Sequence, residues 1–156
     1  MEGPLNYSPN AAAAATRAEL ARRGLLAHLV NYPGAWVVGS LAYLPHLNLE
    51  SSIKYIDADI MFTDFTQRFS FINDLRGMGY EHEKELISGA KFVKQSDNFD
   101  DSVVDVFDAV DETLKYCDER AAIAAFTKGV GFAYNPASGC TIYVERNGWD
   151  TLRLNS

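Results

Sequence analysis

The sequence predicts an α+β fold of the α/β-like kind, a mixed sheet flanked by helices, built as one domain over residues 1–156. Three observations predict it. Runs with helical spacing alternate along the chain with short apolar runs of strand length. The strand-like runs carry or end in small or acidic residues, as at Gly39-Ser40 and Asp57-Ala58-Asp59. The 156 residues, 47% apolar and 12% aromatic, suffice for one well-filled core and argue against disorder of the whole chain.

Taken in order, residues 1–7 read as a loose arm. Ser8-Pro9 starts a helix, because serine caps and proline suits the first helical position. The alanines of 11–15 and Leu20, Leu25, Leu26, Leu29 and Val30 continue it, with Gly24 ending or kinking it. Tyr32-Pro33-Gly34 is a turn. Residues 36–38 form a buried strand and Gly39-Ser40 the turn after it. Leu41, Tyr43, Leu44 and Leu47 line a short helix broken near Pro45, and 48–52 is a loop. Residues 54–62 form the second strand. Phe65, Phe69, Ile72, Leu75 and Met78 make a helical stripe that Gly79 stops. Residues 85–95 read as a strand pair or one long strand bending at Gly89, and 96–101 as an acidic turn. Residues 103–110 are a strand carrying Asp105 and Asp108, and 112–126 a helix. Gly129-Val130-Gly131 and Asn135-Pro136 mark loops, 141–144 is a short strand, and Trp149 opens a helix after the Asn147-Gly148 turn.

Composition narrows the function. A net charge of -7 is the wrong sign for a broad, sequence-independent nucleic-acid surface, although it leaves room for small anions held through a metal. Cys117 and Cys140 have no metal-ligand spacing and one pair is no disulfide framework, so both read as reduced thiols. No apolar run approaches the roughly 20 residues of a membrane span. A cytoplasmic protein that does not cross a membrane is therefore expected.

The chemistry concentrates between residues 36 and 62. Side chains alternate across a strand, so Asp57 and Asp59 share a face. They sit among Ile56, Ala58, Ile60, Met61 and Phe62, where unpaired carboxylates are costly to bury. Either the pair stands in water at the strand end or it holds a hard divalent cation, which takes oxygen ligands. Val104-Asp105-Val106-Phe107-Asp108 offers a third carboxylate. Asp105 and Asp108 have opposite parity, so one of them can join the first pair; the flanking valines favour Asp105. Gly39-Ser40 is an ordinary turn or a place where backbone N–H groups and a helix N-terminus approach a phosphate. Lys91 and Lys94 are a solvated strand face or counter-charges to a triphosphate. His28, His46 and His82 are scattered, and no nucleophile elbow accompanies Ser40.

The ordered set of a strand ending in Gly-Ser, an apolar-flanked Asp-x-Asp and a later apolar-flanked Asp resembles the nucleotidyltransferase fold of the polymerase-beta type, over residues 36–110. It looks closest to the small AbiEii-like, minimal nucleotidyltransferase branch associated with toxin-antitoxin systems. The resemblance implies a nucleotidyltransferase-fold mixed sheet and metal-dependent transfer of a nucleotidyl group from an NTP such as ATP to a hydroxyl acceptor, tRNA or protein. It implies that Asp57 and Asp59 hold two Mg²⁺ (or Mn²⁺), that Asp105 holds the ion that activates the hydroxyl, and that Gly39 and Ser40 hold the β- and γ-phosphates. Lys54, the only base near the place where that branch often has an arginine, is expected to join Gly39 and Ser40 in binding the NTP, and the gap from Gly-Ser to Asp57 is long for the family. Members usually carry a further helical part beyond the last motif. These departures motivate a second reading: an inactive nucleotidyltransferase-like module that acts through a protein partner.

Overall fold

A computed structural model describes residues 9–86, 89–95, 102–108, 130–145 and 151–153. Among the described residues four α-helices are formed: α1 (Pro9–Arg22), α2 (Leu26–Leu29), α3 (Ser40–Tyr43) and α4 (Phe65–Gly77). Two 3-10 turns, Leu44–Leu47 and Glu50–Tyr55, follow α3. The strands are β1 (Ala35–Val38), β2 (Ala58–Phe62), β3 (Glu81–Leu86), β4 (Gly89–Val93), β5 (Val103–Asp108), β6 (Val130–Asn135), β7 (Cys140–Glu145) and β8 (Thr151–Arg153). They join one mixed sheet in the order β3-β4-β5-β2-β1-β6-β7-β8, with helices packed on it, so the α+β class holds.

The pleat sorts the core into two clusters. Alternate residues of the central strands, among them Val37, Ile60, Phe62, Val104 and Val106, join Leu20, Leu29, Leu41, Phe71 and Leu75 from the four helices. Each fully buried side chain of this size contributes about 1.5–3 kcal/mol. The intervening residues Trp36, Val38 and Met61 form a smaller cluster with Ala133, Cys140 and Ile142. Among the described residues no helical side chain enters this second cluster. The sheet therefore has a helix-covered face and an opposite face free of these helices.

Strand pairing places the acidic residues. β1 runs antiparallel to β2, with Val38 opposite Asp59. β2 runs parallel to β5, with Asp59 opposite Asp105 and Phe62 opposite Asp108. β4 runs antiparallel to β5, with Lys91 opposite Asp105. At the sheet edge, all of residues 81–85 in β3 are exposed.

Several expected elements are redrawn. Residues 54–62 are not one strand, because the 3-10 turn at Glu50–Tyr55 takes up both the expected loop and the strand start, leaving Asp57 just ahead of β2. The helix expected after Gly39-Ser40 is only 4 residues long before 3-10 geometry takes over at Leu44 and Pro45. Residues 85–95 resolve into the β3–β4 hairpin. The loop expected at Gly129-Val130-Gly131 is in part β6, where cross-strand pairing to β7 outweighs glycine's poor strand propensity. Thr151–Arg153 pairs as β8 where a helix was expected. By contrast, α4 ends as the sequence indicates, with Gly79 at φ 98 donating to the Arg76 carbonyl. The loose arm of 1–7 and the helix of 112–126 lie outside the described residues. No helix among the described residues is long and apolar enough to cross a membrane.

Candidate metal centre

Asp59 and Asp105 face each other across the β2–β5 ladder on the face opposite the helices, and Asp57 joins them from just before β2. One carboxylate oxygen from each of the three lies within 4.8 Å of the others. Asp105 is buried, and Asp57 and Asp59 are half-buried. The expected trio thus converges, and parity decides between the two candidates in β5. Asp108 turns to the helix face, where Arg68 of α4 approaches its carboxylate at 3.6 Å.

Gly39 closes the cluster from the end of β1. Its φ of 71 and ψ of -157 lie in a region almost reserved for glycine. A Cβ there would also overlap Oδ2 of Asp59. Glycine is therefore required twice, once by the backbone and once by the carboxylate against it. Ser40 follows, half-buried, as the first residue of α3. A helix of 4 residues is too short for a useful dipole, so the expected phosphate contact from a helix N-terminus reduces to bare backbone beside Gly39.

Among the described residues the cation that the fold brings to the cluster is Lys91, whose Nζ lies 3.3 Å from Asp105 Oδ1. Lys54, the base expected from proximity in sequence, is exposed on the 3-10 turn with its ammonium 5.1 Å from the Tyr55 ring centroid. Lys94 lies over the Tyr80 ring at 5.5 Å. His46 is buried and stacked on Phe132 with ring centroids 4.1 Å apart, a core residue.

Three carboxylates against one ammonium leave the cluster over-supplied with negative charge. Burial, followed by the Asp57 and Asp105 charges, pushes the Asp59 carboxyl up to about 8, against the pull of Lys91. Burial, a hydrogen bond with Asp105 and the Asp105 charge raise Asp57 as well. Asp105 Oδ1 is buried, and apart from the Lys91 ion pair it makes no hydrogen bond among the described residues. Three converging hard oxygen donors, with a single ammonium against Asp105 Oδ1, fit a divalent cation of the Mg²⁺ or Mn²⁺ kind.

Two neighbours of the site escape the sequence reading. Arg22, the last residue of α1, and Arg23 just after it donate to the carbonyls of Lys54 and Ile53, just ahead of Asp57. Contacts across some thirty residues leave no local pattern, so no sequence signal announces them. Comparison with protein-family models, with curated proteins and with solved structures gives no match for the chain.

Proposed function

We propose that the chain is a metal-dependent nucleotidyltransferase that moves a nucleotidyl group from an NTP to a hydroxyl acceptor. The observation that carries this reading is the convergence of Asp57, Asp59 and Asp105 within 4.8 Å beside the positive-φ Gly39. Strand geometry supports it further: all three carboxylates and Lys91 come to the face that the described helices leave free.

Asp57, Asp59 and Asp105 would hold Mg²⁺ or Mn²⁺, which when bound neutralises phosphate charge and stabilises the attacking and leaving oxygens. Gly39, lacking a side chain, lets the chain approach the triphosphate closely, and half-buried Ser40 follows it with a hydroxyl. Lys91 stands ready to exchange part of its pairing with Asp105 for phosphate oxygens. In the transfer the acceptor oxygen bonds to the α-phosphorus, the bond to the bridging oxygen breaks, pyrophosphate departs with the electron pair, and the hydroxyl proton goes to solvent. The acceptor is a hydroxyl of tRNA or of a protein. A cytoplasmic location suits a nucleoside triphosphate substrate and the buried free thiol of Cys140.

The test is titration calorimetry with ATP in Mg²⁺ and in chelator, on the wild type and on Asp57→Ala, joined to label transfer from α-labelled NTPs. Binding that needs both Mg²⁺ and Asp57 is expected. Equally strong ATP binding in chelator overturns the proposal, and metal-dependent binding without transfer to any acceptor points to the inactive, partner-binding module.

A further inference from the structure

The three carboxylates are not held in the same way. Asp59 and Asp105 are ladder partners, so pleat and register fix them. Asp57 precedes β2 and follows Ile56, an extended residue (φ -110, ψ 158) that caps the Glu50–Tyr55 turn. Its place depends on where that turn is anchored.

The anchor is α1. Arg23 Nη2 donates to the Ile53 carbonyl at 2.7 Å, and the same carbonyl accepts the Ile56 N–H at 3.4 Å. Arg22 Nη2 donates to the next carbonyl, that of Lys54, at 3.3 Å. The Arg23 side chain is only 2% exposed, and its charge is balanced by Glu19, which accepts from its Nε at 2.7 Å. One turn earlier, Thr16 Oγ1 donates to the Leu41 carbonyl at 2.9 Å, just beyond Gly39 and Ser40. The helix thus grips the chain on leaving the glycine turn and on entering the aspartate segment.

A buried ion pair contributes little net stability compared with apolar packing of the same volume. Arg23 is a poor stabiliser by a second measure: its Nη1 is buried without a hydrogen bond among the described residues. What a guanidinium supplies here, and an apolar side chain does not, is a fixed direction toward a backbone carbonyl. We infer that Arg23 is a positioning residue for Asp57, holding the Ile53 carbonyl so that the Asp57 carboxylate meets those of Asp59 and Asp105; the inference rests on the metal-site reading above.

The experiment compares Arg23→Met, which leaves Glu19 paired with Arg22, with Arg23→Lys and with Arg17→Met. Arg17 lies within α1, the helix that Arg23 directly follows, but bonds to Tyr134 and Pro136, so its loss is a control for damage to α1 itself. Two quantities are read: affinity for Mn²⁺ alone, by electron paramagnetic resonance, and amide exchange of Ile56 and Asp57 in metal-free protein. Arg23→Met is expected to weaken Mn²⁺ binding by about 10-fold or more, as loss of a residue behind a ligand does. It should also speed exchange at Ile56 and Asp57 while β2 stays protected, and Arg23→Lys should recover part of both. Arg17→Met should lower the melting temperature and leave Mn²⁺ affinity unchanged. Wild-type Mn²⁺ affinity in both Arg23 variants overturns the inference. If the wild type itself binds no Mn²⁺, the metal reading fails, and exchange alone decides: faster exchange confined to Ile56 and Asp57 upholds the anchoring role, and unchanged exchange overturns it.

Discussion

Asp59 and Asp105 are direct partners across the parallel β2–β5 ladder, whereas Asp108, in the same strand as Asp105, pairs with Phe62 and turns to the opposite face. A parallel ladder between two strands so placed brings like charges together at one level of the sheet. Such a pairing opposes folding unless a cation offsets it.

The contrast within β5 gives the first prediction. Asp105→Asn should lower Mn²⁺ affinity by at least about 10-fold, since it removes a proposed ligand. Asp108→Asn should leave it within about twofold, because a site on the other face acts independently. Calorimetric titration of both variants decides, and equal losses would contradict the assignment of the third carboxylate.

Gly39→Ala should cost about 1–3 kcal/mol of stability, the usual cost of forcing a non-glycine residue into this backbone region. Part of that cost comes from the overlap with Asp59 Oδ2. The same substitution should therefore cost less in an Asp59→Ala background, with a coupling on the order of 0.5–3 kcal/mol. Urea midpoints of the four proteins in chelator test this. Equal costs in both backgrounds would mean that the glycine serves the backbone alone.

Asp57→Asn removes one of the crowded charges and keeps the shape. In chelator its melting temperature should hold or rise by up to about 4 °C, which corresponds to roughly 1 kcal/mol of relieved repulsion in a domain of this size. With Mg²⁺ present the order should reverse, because the wild type gains a bound ion. A clear drop in chelator with unchanged Mg²⁺ affinity would mark Asp57 as a structural acceptor.

The His46 imidazole is held down at about 4 by burial, below its ordinary value. The folded state therefore binds fewer protons than the unfolded state between about pH 4 and 6.5. The stability carried by the neutral ring is present above pH 6.5 and is lost as pH falls toward 4, up to about 3 kcal/mol. His46→Phe, which keeps an aromatic ring against Phe132, should flatten that slope. Denaturant unfolding at pH 7, 5.5 and 4.5 checks it; a slope unchanged in the variant would place the titration elsewhere.

The site was legible where its geometry follows from side-chain alternation. Asp59 and Asp105 could be read because apolar neighbours on both sides reveal their strands, and parity separates Asp105 from Asp108. Asp57 converges with them even though it stands ahead of the strand, since Ile56 is extended too. Lys54 and Lys91 show the limit. Nearness in sequence favoured Lys54, but pairing across β4 and β5 puts Lys91 beside Asp105. Register between strands depends on tertiary packing, which no local pattern encodes. The same reason explains β6 and β8, where strand pairing overrides the local signals at Gly131 and after Trp149.

The outermost described strand, β3, has a consequence for behaviour in crowded solution. It presents Glu81, His82, Glu83, Lys84 and Glu85 to water in succession, with a register irregularity between His82 and Lys84. A second molecule adding itself along this margin would have to bring its own three glutamates against these three and match a bent backbone. Both features oppose edge-to-edge growth, so this margin resists fibre-like stacking by itself and spares the molecule a covering element there.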